Sequence, residues 1–356
     1  MNVPGLSLLN RVSWRKVGIF AGGMLLFILA LELMKSGARG LAPFIRETLT
    51  VTNPVNGLGF GWLFAYGVMS GSPVAAASLT FFDAGAVDAT TAFAMITGSR
   101  LGASLIVLVL GMIYVLRGHE KVASLTTGLL SLIVTATIYI PALPIGLALL
   151  SSGFLSRTNL DPNNGVASFI DVIYGPPVAL AERLLPHWMI FLAGLGVVIV
   201  AFNLFDRALP ELKLTQSAFD SIPRLLYRPA VTFALGLGIT MLTMSVSVSL
   251  GLLVPLSVRG YVRRENLVPY IMGCNISTFV DTLVAGLLLR NPVAAGIVLA
   301  EMASIVIVSA IVLLFFFRPY ERAVLRFAAW LTRAQDRTLI FFGLLLVIPL
   351  ALLVVR

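Results

Sequence analysis

Two runs in this chain place hydroxyl groups inside otherwise apolar sequence. MSGSPVAAASLTFFDAG covers Met69 to Gly85, and MSVSVSLGLLVPLSVRG covers Met244 to Gly260. Serine and glycine at a break in an apolar helix suit the binding of small ions. Unpaired backbone N–H groups and hydroxyls cradle an anion, and freed carbonyls coordinate a small cation. Neither task uses a catalytic base. Each run is followed by a glycine-started segment, GSRLGAS from Gly98 and GCNISTF from Gly273. Arg100 lies within the first of these, and Asp281 lies just past the second, with Glu301 one helix further on. A charge at that depth in lipid costs at least ~2.5 kcal/mol, so Arg100 requires a partner.

The spacing of the two runs is regular. Met69 and Met244, Gly85 and Gly260, and Gly98 and Gly273 all stand 175 positions apart. Pro54 and Pro229 keep that offset, as do Gly61 and Gly236. Five matches in register make the chain a duplicated unit.

The elements that carry these runs must be membrane helices. Of the 356 residues, 58% are hydrophobic and only 12% charged, and the mean hydropathy is +0.98. A soluble domain carries about 25% charged residues. Apolar runs long enough to cross a bilayer recur along the chain. The single cysteine, Cys274, excludes an internal disulfide and a cysteine-based metal site, and His119 and His187 are too few for a zinc cluster. The net charge of +9 fits basic loops on one membrane face better than a nucleic-acid surface. No Walker A motif and no PGxSRSG-like phosphatase run is present, so neither ATP hydrolysis nor lipid-diphosphate hydrolysis is indicated.

Full spans are expected near 17–34, 91–115, 122–148, 188–205, 266–289, 293–316 and 338–355, with an interfacial amphipathic segment at 35–50. Two stretches are too broken by glycine and proline to be clean spans, 53–83 and 229–257, and these read as re-entrant hairpins. The expected fold is therefore all-α and polytopic, with about seven transmembrane helices and two inverted repeats. The first repeat occupies 1–150 and the second 187–317. An extracytoplasmic linker at 151–186 joins them, and 318–356 forms a cytoplasmic connector and the last helix. Charge supports the inversion. DAGAVDAT, after the first hairpin, has no basic residue, whereas its counterpart VRGYVRREN has Arg259, Arg263 and Arg264. Positive-inside asymmetry then places the N-terminus in the cytoplasm of a multi-pass protein of the cell (inner) membrane. Inverted repeats with paired broken helices are an architecture of secondary transport.

The tandem motifs resemble those of the type II sodium/phosphate cotransporter family, including its prokaryotic members. That family carries QSSS in each repeat, followed by a GANIGT-like segment. MSGS (Met69 to Ser72) and MSVS (Met244 to Ser247) stand at the two QSSS positions, and GSRLGAS and GCNISTF at the two GANIGT positions. The LELMKSGARGLAPF lead-in fits as well, and the likeness covers roughly 17–115 and 188–290. The resemblance implies a symporter, not an enzyme, that moves inorganic phosphate with sodium as the coupling ion and no other cofactor. It implies substrate or sodium contacts at Ser70, Ser72, Ser245 and Ser247, with support from Ser104, Asn275 and Thr278. Beside these, Gly71 and Arg100 are candidates for substrate, and Ser249, Ser277 and Asp281 candidates for the ion. The partners would be phosphate or a similar anion, sodium and membrane lipid, with no nucleic acid. This chain departs from the pattern at Met69, Met244, Gly71, Val246 and Asp281, and Arg100 replaces the first asparagine. An alternative follows: another small anion or solute, coupled to protons through Asp281 and Glu301, with a membrane phosphatase-like enzyme ranked behind it.

Arg100 has three readings. Its guanidinium binds an anionic substrate bidentately, or it is a built-in cation in place of one sodium, or it forms a permanent ion pair. Asp83, Asp281 and Glu301 are the available acids for that pair.

Overall fold

The computed structural model describes residues 13–116, 121–153, 164–208, 228–244, 246, 249–250 and 264–355. Ser245 and Ser247, the connector 209–227 and most of the return arm of the 229–257 segment lie outside the described residues. Among the described residues every regular element is helical. The chain opens with α1 (Trp14–Pro43) and a π-helical turn (Phe44–Thr48), then α2 (Pro54–Val68), α3 (Gly71–Asp83), α4 (Ala89–Leu116) and α5 (Lys121–Ser151). Next come α6 (Asn164–Leu184), α7 (His187–Ala208), α8 (Pro229–Thr243), α9 (Arg264–Ser277) and α10 (Val280–Leu288). α11 (Pro292–Ile311), a second π-helical turn (Val312–Phe316), α12 (Phe317–Thr332) and α13 (Gln335–Val354) complete it.

Six of the helical stretches are long and apolar enough to cross a membrane, so the chain is a helical, multi-pass membrane protein. The expected span at 91–115 falls on α4, part of whose side chains lie outside the described residues. Large apolar side chains face outward, including Leu314, Phe315, Leu339, Ile340 and Val347. That is the distribution a lipid solvent requires.

Three expectations are corrected. Residues 35–50 do not form a separate amphipathic surface helix, because α1 runs unbroken to Pro43 and buries Ser36, Gly37 and Ala38. Lys35 is neutralised there by Asp83 at 2.6 Å. The 151–186 stretch is not only a polar connector. Its second half is the helix α6, which holds Pro176 and Pro177 in its interior and is tied to α1 by a Ser36 hydroxyl donating to Glu182 at 2.6 Å. The 266–289 span is long and apolar enough to cross, as expected, but it is not one continuous helix: it is two, α9 and α10, interrupted at Thr278 and Phe279.

Glycine contacts show the duplication in three dimensions. A Cβ on Gly61 would collide with the Met95 carbonyl oxygen, and one on Gly98 with that of Leu58. In the second half, Gly236 meets the Tyr270 carbonyl and Gly273 that of Phe233 in the same way. All four residue pairs match at the 175-position offset. Thus α2 against α4 and α8 against α9 are one packing unit used twice. Only glycine lets two backbones approach this closely, as in small-residue membrane interfaces. α1 and α7 also pack through glycines, and run antiparallel: Gly23 meets Phe205, Gly194 meets Met34, and Gly37 meets Phe191.

Both broken segments end their first helix in one way. α2 starts at Pro54 behind an Asn53–Asn56 capping box, α8 starts at Pro229, and proline is favoured at the first helical position. α2 stops at Met69 (φ 57°) and α8 at Met244 (φ 49°), both in the left-handed region. A left-handed residue reverses the chain direction and cannot continue a helix.

Candidate functional site

The two breaks converge on one cavity of about 130 Å³. From the first half it is lined by Met69, Ser70, Gly71 and Ser72 at the α2–α3 break, and by Arg100, Ala103 and Ser104 on α4. From the second half come Met244 and Val246, with Asn275 and Thr278 at the end of α9. α5 adds Ser131, Thr135 and Tyr139, and α7 adds Phe202 and Asp206.

The α3 N-terminus points its charge preference at this space. Ser70 is the N-cap in extended conformation, and its side chain makes no capping bond, so the first-turn N–H groups and the Ser70 hydroxyl are free for a ligand. The net positive end of a helix favours negative charge there.

Arg100 is only 6% exposed, and its guanidinium links the halves. Nη1 donates to Ser72 Oγ at 2.9 Å and to Thr278 Oγ1 at 3.2 Å. Nη2 donates to the Thr278 carbonyl at 3.1 Å, to Thr282 Oγ1 at 2.7 Å and to Asp281 Oδ1 at 3.3 Å. The Phe279 ring lies under it at 4.7 Å. Nε has no hydrogen-bond partner. The Thr278 carbonyl can accept because the interruption between α9 and α10 releases it from helical bonding. Of the three candidate acids, Asp281 makes the pair. Asp83 is held by Lys35 and by Asn291 Nδ2 at 3.0 Å, while Glu301 accepts from the Thr97 hydroxyl at 2.8 Å.

Asn275 is the residue 175 positions from Arg100. Its Oδ1 accepts from the Thr135 hydroxyl at 3.2 Å, and its carbonyl from the Tyr139 hydroxyl at 2.7 Å. Its Nδ2 is buried without a partner. The residue lines the cavity, and this donor lies buried and unsatisfied beside it.

The remaining candidates separate. Ser70, Gly71, Ser72, Arg100, Ser104, Asn275 and Thr278 share the cavity, and Asp281 stands behind it through Arg100. The Ser104 hydroxyl donates to the Leu101 carbonyl at 2.7 Å. Ser249 does not line the cavity: it is buried between α8 and α9, bonded to Thr240 and Tyr270 at 2.7 Å each. Ser277 bonds back to the Gly273 carbonyl at 3.4 Å, away from the cavity, because a helical hydroxyl can satisfy itself locally. Sequence reasoning missed Ser131, Thr135 and Tyr139. Their i, i+4, i+8 spacing, one polar stripe on an apolar helix, was the available signal. It also missed Thr282 and Asp206.

No family model matches the chain, and neither the curated proteins nor the solved structures contain a match to it.

Proposed function

We propose that this protein is a secondary transporter for a small oxyanion, with inorganic phosphate the first candidate and sodium the coupling ion. The observation that carries the reading is the convergence of both break tips, and of Arg100 and Asn275, on one 130 Å³ cavity. Matched breaks in a duplicated membrane chain create unpaired backbone groups, and such groups are tolerated at depth only beside protein or a cavity. The α3 N-terminus and the Ser70 hydroxyl offer donors at the wall, and the buried Arg100 Nε and Asn275 Nδ2 beside it lack partners. That supply suits an anion with several oxygens. The Thr278 hydroxyl and the Asp206 carboxylate, on the same wall, supply oxygen to a coupling cation.

In this reading the halves are inverted repeats, and the broken segments are re-entrant hairpins. The antiparallel packing of α1 and α7, which open the two halves, supports the inversion. The charge asymmetry of the connectors supports a cytoplasmic N-terminus in the cell membrane. Alternating access about the cavity moves the solute, and no covalent step is assigned.

A second reading, a different small anion coupled to protons, is favoured by one observation. Asp281 Oδ2 and Glu301 Oε2 are buried without partners, which leaves each oxygen open to a proton.

Labelled phosphate uptake into proteoliposomes, under an inward sodium gradient with a potassium control, tests the proposal. Sodium-dependent accumulation is the expected result. Folded protein that accumulates no phosphate in either salt overturns the phosphate assignment. Uptake driven equally by an imposed pH gradient without sodium selects the second reading.

A further inference from the structure

We propose that the Arg100 guanidinium fills a monovalent-cation site built of oxygen atoms, so that the protein carries one bound cation covalently. Oxygen atoms surround the charge. Nη2 faces the Thr278 carbonyl, Thr282 Oγ1 and Asp281 Oδ1 at 3.1, 2.7 and 3.3 Å. Nη1 adds Ser72 Oγ and Thr278 Oγ1 at 2.9 and 3.2 Å. One carbonyl, three hydroxyls and one carboxylate form the all-oxygen set that hard cations take.

An ordinary arginine ion pair looks different. Arginine meets a carboxylate through two parallel bonds, yet here a single oxygen of Asp281 takes part, and its contact is the longest of the five. The neutral oxygens make the closer contacts. The broken helix supplies the carbonyl, as unwound membrane helices supply carbonyls to bound ions. The Phe279 ring at 4.7 Å presents a face that attracts any cation. One positive charge stands against one paired carboxylate, as a bound monovalent ion would leave it.

The shell and the charge also come from different places. Thr278, Asp281 and Thr282 belong to the second half, and only Ser72 to the first. Arg100 reaches them from α4 beside the cavity. Shortening its side chain would therefore open a path from the cavity to an oxygen shell left without its charge. This inference goes beyond transport, because it concerns what occupies the site and needs no solute to move.

The test uses purified Arg100→Ala, with sodium chloride exchanged for choline chloride at constant ionic strength and thermal unfolding as the readout. A ligand that binds only the folded state raises its stability by mass action. The midpoint of Arg100→Ala is expected to climb with sodium. Wild type and Arg100→Lys should climb less, by no more than the coupling-ion site gives, since a tethered ammonium also fills the Arg100 site. Adding Asp281→Asn to Arg100→Ala should bring the climb back to the wild-type slope. Folded Arg100→Ala recovered from sodium but not from choline is the same positive result. No folded variant in either salt overturns the proposal, as does a sodium response no larger than that of wild type. A climb that stays above the wild-type slope with Asp281→Asn overturns it as well. Failure of phosphate uptake leaves these outcomes unaffected, so the two ideas fail separately.

Discussion

Met69 and Met244 occupy equivalent positions in the two halves, and both adopt left-handed backbone, with φ of 57° and 49°. Neither is glycine, so each break stores conformational strain of about 1–2 kcal/mol. Met69 is 55% exposed and loses little packing on truncation. Met69→Gly should therefore be neutral to slightly stabilising, the relieved strain offset by about 0.5–1 kcal/mol of extra glycine entropy. Met69→Val should destabilise by about 1 kcal/mol or more, since β-branching is poorly tolerated at positive φ. Thermal unfolding of the two variants in one detergent checks the ordering.

Asp281 is the one carboxylate bonded to Arg100 among the described residues. Asp281→Asn leaves a buried guanidinium without its counter-charge, at an expected cost of about 3–5 kcal/mol. Arg100→Met combined with Asp281→Asn removes both charges and should recover most of that loss. A double-mutant cycle in unfolding midpoints measures it, and additive losses would refute a pair.

The glycine packing predicts equal sensitivity in the two halves. Gly61→Ala and Gly236→Ala each drive a methyl into a carbonyl of the facing helix, and should each cost about 1–3 kcal/mol. Gly238 on the same helix as Gly236 meets nothing within 4 Å. Gly238→Ala should instead stabilise by about 0.5–1 kcal/mol. Expression yield and thermal midpoint together report the contrast.

Asp88, on the connector before α4, caps that helix by accepting from the Thr91 N–H at 2.8 Å and the Thr90 hydroxyl at 3.0 Å. Partial burial pulls its pKa upward, but the Thr91 and Thr90 hydrogen bonds outweigh it and hold the carboxyl below its ordinary value. A depressed folded pKa contributes stability that is present above the unfolded value and lost as pH falls through the folded one. Asp88→Ala should cost about 1 kcal/mol at neutral pH, the usual weight of an N-cap. The difference from wild type should shrink in acid below the normal aspartate range. A pH series of unfolding midpoints gives the result.

Asn275 lines the cavity with Arg100, and its Nδ2 is buried without a partner. If phosphate binds there, Asn275→Ala should weaken uptake at least tenfold through KM, the loss of about 1.5–3 kcal/mol from one charge-assisted bond. Among the described residues, the Thr135 bond to its Oδ1 is the one side-chain hydrogen bond at stake. Folding should therefore change little. Uptake kinetics in proteoliposomes separate KM from maximal rate.

Much of this was legible in the chain before any coordinates. The 175-position offset marked the duplicated packing unit, because glycines at matched positions are what close backbone contact demands. The serine runs marked the breaks for the same reason. Methionine at the left-handed positions was not legible, since nothing local favours positive φ there. The helix α6 was hidden by Pro176 and Pro177, which read as breakers yet sit inside it. The extension of α1 past Lys35 was hidden by its charge, which only the long-range pair with Asp83 makes tolerable. The choice of Asp281 over Asp83 and Glu301 depended on that same distant pairing, and no spacing rule could rank the three.

The shell around Arg100 has no mirror image. Thr278, Asp281 and Thr282 correspond in the first half to Ala103, Ile106 and Val107, and Arg100 itself to Asn275. A molecule whose scaffold is duplicated therefore has a centre that is lopsided, with the charge anchored on one wall alone. Any motion that exchanges the roles of the halves must begin and end at unequal energies. For the proposed transporter, that means a resting preference for one side, written into three side chains.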